Sequence, residues 1–265
     1  ARAGVGAVVT QSLTNPAFGP EGLELLSQGL SPQEAVEAMV SRDEGRDFRQ
    51  LAVLDANGSS YAYTGGKCVA EAGHVFGRNF SAQANMMLRD TVWRAMASAF
   101  ESSEGPLAER ILAALEAAES EGGDARGRQS AALLVVRAEG TGNVGKDRLV
   151  DLRVDDHSEP LLELRRLLKV HRAYESMDAG DAAMEKGDMD AALRSYSQAQ
   201  EMFPANAEMV FWHAVGLANK GMFEGSIPLF HRAFNMNPNW KVMVTRLIPN
   251  GMLRLSKEQA ELLLR

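Results

Sequence analysis

The chain has 265 residues, 45% of them hydrophobic and 24% charged, with a formal net charge of −7. This composition suits one large or two ordinary packed domains. The acidic balance holds in both the front and the tail, so no basic footprint for a nucleic-acid backbone exists, and no apolar run reaches the roughly eighteen residues of a membrane span.

In chain order, residues 4–12 read as a glycine-rich buried strand and 13–20 as a loop with two prolines. A short helix is expected over 21–28. Ser31-Pro32-Gln33-Glu34 then opens a second helix with N-cap, N1 proline and capping-box signals together. Asn57-Gly58 between two β-prone runs, 50–55 and 59–64, predicts a hairpin whose two turn residues both have positive φ. Shorter strands follow near 68–76 and 80–87, then helices over 91–101 and 106–121, the second stopped by Gly122-Gly123. Residues 131–137 and 149–154 are the last strands, the first apolar on both faces as for a strand buried between two layers. From Ser158 the pattern becomes amphipathic and helical. The front mixes strands with paired helices, an α+β arrangement of sheets covered by helices.

The tail carries an internal repeat with an offset of 34 residues. It lays Gly187 on Gly221, Tyr196 on Phe230, Ala199 on Ala233, Met202 on Met236 and Pro204 on Pro238. That period and order resemble tetratricopeptide helix pairs, with units at about 173–206 and 207–240 and capping helices on either side. The division expected is residues 1–157 for the front domain and 158–265 for the all-α repeats. Pro228 falls inside a helix and is expected to distort it. Residues 171–265 are the expected docking surface for a protein partner or a second subunit, and a homo-oligomer is expected.

Cys68 is the sole cysteine. It forms no internal disulfide, which favours a reducing compartment and a cytoplasmic location. As a nucleophile it needs a base, and His74 is the local candidate. Asp155, Asp156 and His157 are adjacent on a strand end, where neighbours face opposite ways, so no metal is expected there. Neither a P-loop nor a GxGxxG segment exists, so no cofactor is expected.

Four polar clusters in the front carry the candidate chemistry: residues 10–16, 46–50, 83–86 and 122–130. Gln11-Ser12-Leu13-Thr14-Asn15-Pro16 and the residues after it, Gly45-Arg46-Asp47-Phe48-Arg49-Gln50, Gly123-Asp124-Ala125-Arg126-Gly127-Arg128-Gln129-Ser130 and Asp151-Leu152-Arg153-Val154-Asp155-Asp156-His157 together resemble the domain of unknown function 1028 family over roughly residues 1–170. The resemblance implies a four-layer αββα sandwich of the N-terminal-nucleophile (Ntn) hydrolase type, here lacking its first strands. Such enzymes cut amide bonds with a Thr, Ser or Cys at the mature N-terminus. It further implies that Ser12 and Asn15 orient substrate or water, that Asn85 and Gln129 supply oxyanion donors, and that Gln11, Arg49, Asp124 and Arg126 bind a small amide substrate. Two departures stand out: Ala1 carries no nucleophile, and Ala84 stands where a glycine is expected before Asn85. The chain is therefore expected to be an amide-bond hydrolase fused to an interaction module or, alternatively, a non-catalytic scaffold.

Overall fold

The computed structural model describes residues 1–265 and divides them into two compact units, Ala1–Arg166 and Leu167–Arg265. It is an α+β protein, with small antiparallel sheets in the first unit and helices throughout the second.

In the first unit β1 (Gly6–Ser12), β2 (Arg49–Asp55) and β3 (Ser60–Thr64) form one antiparallel sheet in the order β1-β2-β3. The β2–β3 turn closes differently from a two-residue type I′ turn. Gly58 alone takes positive φ, at 87°, and the Asp55 carboxylate accepts from the Asn57 and Ser59 backbone N–H groups at 2.8 and 2.9 Å. The aspartate thus does by side chain what the expected turn does by backbone.

Alternation then sorts the sheet into two faces. Val8, Leu51, Val53, Tyr61 and Tyr63 pack on Phe18 of α1 (Phe18–Ser27) and on Val36 and Met39 of α2 (Pro32–Arg42). The predicted capping box starts α2: Ser31 Oγ accepts from the Glu34 N–H, and the Ser31 N–H donates to the Glu34 carboxylate at 2.8 Å. On the other face the register stacks three rungs: Ala7–Leu54–Ser60, Val9–Ala52–Ala62 and Gln11–Gln50–Thr64.

A second hairpin, β4 (Gly73–Gly77) and β5 (Phe80–Ala84), supplies the neighbouring strands. Helix α3 (Val92–Ser102) covers it through Val92 and Trp93, and a Cβ on Gly73 would stand 2.4 Å from the Trp93 ring. Helix α4 (Leu107–Ser120) pairs with α3 and ends at Gly122 and Gly123, both with positive φ. A cavity of about 510 Å³ lies among Val9, Leu54, Met96, Phe100, Ile111 and Leu134.

The last hairpin joins β6 (Ala131–Val136) to β7 (Arg148–Val154), with a short helix α5 (Val144–Asp147) in the connection. The apolar run of β6 does not mean two buried faces. Leu133 and Val135 are buried on one face, while Leu134, on the alternate face, is 39% exposed at the cavity wall.

Helix α6 (Pro160–Glu185) runs from one unit into the next. The second unit continues with α7 (Met189–Met202), α8 (Ala207–Asn219), α9 (Phe223–Met236), α10 (Asn239–Leu247) and α11 (Lys257–Leu264). Gly187 and Gly221 turn the chain at φ 76° and 85°. Tyr196, Phe211 and Phe230 are fully buried. Phe211 stacks on Trp240 with centroids 4.5 Å apart and meets Trp212 and Phe230 edge-on. Pro228 lies within α9, which runs unbroken to Met236 although proline has no N–H to donate to the preceding turn.

Candidate functional site

The third rung of the inner sheet face breaks an apolar pattern. Beside Val9, Ala52 and Ala62, register places Gln11, Gln50 and Thr64 side by side. Gln50 is fully buried at 0% exposure, so every polar atom it carries must find a partner. Its Nε2 has two hydrogens and three acceptors in reach, the backbone carbonyls of Gly73 and Ala84 at 3.1 and 3.0 Å and Thr64 Oγ1 at 2.8 Å, which share them. Its Oε1 accepts from Gln11 Nε2 at 2.6 Å and Asn85 Nδ2 at 3.0 Å. Carbonyls only accept, so the two from β4 and β5 fix which way the Gln50 amide points.

That orientation propagates outward. Gln11 Nε2 also donates to the Gln83 carbonyl, which consumes both of its hydrogens. Thr64 Oγ1 lies 2.8 Å from Gln50 Nε2, which cannot accept, and 2.8 Å from His74 Nδ1, the one acceptor in reach of its hydroxyl proton. The satisfied arrangement has Thr64 donating to Nδ1 and His74 carrying its own proton on Nε2. Gln11 Oε1, Asn85 Oδ1 and His74 Nε2 have no protein partner, and none of them is both buried and unsatisfied, so all three reach solvent. The cavity lies next to this rung, with Val9, Ala52 and Gln83 in its wall.

Backbone strain gathers at the same place. Ser12 and Met86, the residues that follow Gln11 and Asn85, have φ of 66° and 60°. Left-handed backbone at non-glycine residues costs energy that the surrounding structure must hold in place, and it concentrates at functional sites. Ala84, by contrast, keeps negative φ, and its carbonyl serves as a Gln50 acceptor.

The residues singled out from sequence fall into several groups. Gln11 and Asn85 meet at Gln50. Ser12 and Arg49 pair one position further along the strands, and strand alternation turns them to the opposite face. There Arg49 donates to Asp43 at 2.7 Å and to the Leu13 carbonyl, and Asn15 lies beside Asp43. The Arg49 guanidinium holds the Asp43 carboxyl below its ordinary range. Asp124 and Arg126 pair with each other at 2.7 Å on a loop that bridges to Met87, close in sequence to Asn85. Gln129 is exposed, and its carbonyl accepts from the His157 N–H. Cys68 Sγ donates to the Arg49 carbonyl at 3.3 Å, and His74 instead pairs with Thr64.

Thr64 is the addition the fold makes, and it gives new partners to Gln50, read from sequence only as part of a cluster, and to His74, read as a base for Cys68. The available signal was parity: a glutamine two residues before Ala52 on a buried face, opposite Thr64 once the Asn57-Gly58 hairpin sets the register.

Burial pushes the His74 imidazole below its ordinary value of 6.5. His213 in the second unit, half-buried against Gln200, is shifted the same way by burial. A histidine with its folded pKa depressed stabilises fully above its unfolded pKa and loses that stability as pH falls through the folded value. The urea midpoint is therefore expected to drop between pH 7 and pH 5. Carboxylates such as Asp43 and Asp124, depressed from 3.8, add their loss only at lower pH. His74→Gln, whose side-chain oxygen can take over acceptance from Thr64, should flatten the upper part of the profile; an unchanged profile in that variant would rule out His74 as a source.

A family model described as a family of unknown function, DUF1028, matches residues 1–164. A crystal structure of a protein from Silicibacter pomeroyi, assigned to the same family model, is similar with a TM-score of 0.54 at 34% sequence identity, over 61% of this chain and 70% of that one. No curated protein matches. The segment that holds Gln11, Gln50, Thr64, His74 and Asn85 lies wholly within the matched residues, and the chain belongs to the DUF1028 family.

Proposed function

We propose that the first unit hydrolyses the amide bond of a small, uncharged substrate at the Gln50-centred cluster, and that the second unit docks a protein, either a partner or a second copy of this chain. One observation carries the reading. A fully buried glutamine fixes two further carboxamides whose remaining polar atoms face solvent. Gln11 Oε1 and Asn85 Oδ1 accept, while the second hydrogen of Asn85 Nδ2 and the Nε2 proton of His74 donate, which complements a neutral amide. The charged residues singled out around it are already paired, Arg49 with Asp43 and Arg126 with Asp124, which disfavours a carboxylate or phosphate ligand. In hydrolysis the free Asn85 N–H would serve the oxyanion.

The Ntn-hydrolase-like sandwich is the finer fold we assign to the first unit. Its support is the family resemblance together with antiparallel strands that carry helices on their outer faces, α1 and α2 on one sheet and α3 on another. The tetratricopeptide reading of the second unit draws support from the matched positions. Gly187 and Gly221 share left-handed backbone, and Tyr196 with Phe230 and Ala199 with Ala233 are all fully buried. Exposed Tyr174, Met222 and Val242 offer it apolar contact surface.

The test is release of amine from a panel of small neutral amides by the whole chain. Turnover is expected in the wild type and about 10²-fold less in Asn85→Ala, with the circular dichroism spectrum retained. Cleavage restricted to carboxylate-bearing amides, or undiminished in Asn85→Ala, would overturn the assignment.

A further inference from the structure

We propose that Thr64 is the nucleophile of this site and His74 its base. The inference rests on the amide-hydrolase reading above and adds the attacking group to it. Candidate nucleophiles near Gln50 are few: Ser12, Thr64, Cys68 and Ser81. Ser81 donates to Gln83 Oε1 at 2.8 Å, Cys68 donates to a backbone carbonyl, and Ser12 has no side-chain partner. Thr64 alone is joined to a base, at 2.8 Å from His74 Nδ1. Nucleophile and base within hydrogen-bond reach is the geometry such catalysis requires.

The pair is also held in place. Gln50 Nε2, which shares its two hydrogens among two backbone carbonyls and Thr64 Oγ1, cannot accept the hydroxyl proton, and that leaves His74 Nδ1 as its acceptor. The imidazole lies over Phe76 with the ring planes 22° apart, which sets its orientation. Burial keeps it neutral at pH 7, the state in which Nδ1 can take a proton. Asn85 bonds the oxygen of the same Gln50 carboxamide whose nitrogen meets Thr64, so one side chain holds both groups.

In the step proposed, Thr64 Oγ1 attacks the amide carbonyl carbon as its proton passes to His74 Nδ1. The tetrahedral oxyanion collapses with cleavage of the C–N bond. His74 returns the proton to the departing amine, which leaves an ester on Thr64. Water, deprotonated by the same imidazole, then attacks the ester, and Thr64 regains its proton as the carboxylic acid leaves.

The experiment uses p-nitrophenyl acetate as an acyl probe on the whole chain. A burst of p-nitrophenolate is expected, with one acetyl group mapped to Thr64 by mass spectrometry. Thr64→Ser should keep the adduct and Thr64→Val should lose it. His74→Gln should slow acylation by about 10²-fold or more. The wild-type burst rate should rise with pH to a plateau, with an apparent pKa below 6.5, a profile that a purely structural histidine would not impose. An acetyl group found only on Cys68 or on surface lysines, or a Thr64→Val burst equal to wild type, overturns the assignment. Titration with N-methylacetamide separates the two claims. Shifts of the Gln11 and Asn85 side-chain amide resonances without Thr64 acylation sink the nucleophile and leave the amide site standing; absence of both removes both.

Discussion

Replacing Gln50 with leucine should cost about 3–4 kcal/mol and lower the urea midpoint of the first unit accordingly. Leucine fills a similar volume, so the loss comes from polarity rather than from a cavity. The Gly73 and Ala84 carbonyls would each lose a side-chain donor in a buried site, at about 1–3 kcal/mol apiece, while Gln11 and Asn85 would recover partners in water. Gln50→Glu makes the sharper comparison. A glutamate oxygen can still accept from Gln11 and Asn85, but its second oxygen would face two carbonyls. Only the protonated acid can donate to one of them. Gln50→Glu should therefore be least stable relative to wild type at pH 8 and recover toward pH 5, opposite to the wild-type trend set by His74. A variant that tracks wild type across that range would mean the Gln50 amide is not held by those carbonyls.

Phe211→Ala should destabilise the second unit by about 3–5 kcal/mol, the range for deleting a fully buried phenylalanine. Its ring touches Trp212, Phe230 and Trp240 at once, so truncation removes three aromatic contacts as well as area. Two of the three tryptophans of the chain are among those neighbours, which makes fluorescence a direct probe of the loss. Phe211→Leu, closer in volume, should cost less than half as much. Equal losses for the two variants would show that ring stacking, not filled volume, supports this core.

Local chemistry made much of this fold legible. The Ser31 capping box, the Asn57-Gly58 hairpin and the Gly122-Gly123 stop all act over a few residues. Pairing across a long gap was not legible. Nothing near Gln11 reveals that β2, some forty positions away, will set Gln50 opposite it. For that reason Arg49 reads as a substrate-binding residue, whereas the fold pairs it with Asp43 and buries its neighbour Gln50. Likewise β6 is apolar at every position from Ala131 to Val136, and only what packs on each of its faces decides how many of those side chains are covered.

Tyr196 has a kinetic consequence of its own. Its ring lies between two glycines: a Cβ on Gly180 would stand 2.5 Å from one ring edge, and one on Gly216 would stand 3.1 Å from the other. The hydroxyl is tied to Asp181 at 2.6 Å. A half-turn of the ring sweeps out more space than those backbones leave, so each flip must wait for the helices to part briefly. The two sides of the ring should give separate proton resonances that merge on warming, and the rate at which they merge would time the breathing of the second unit.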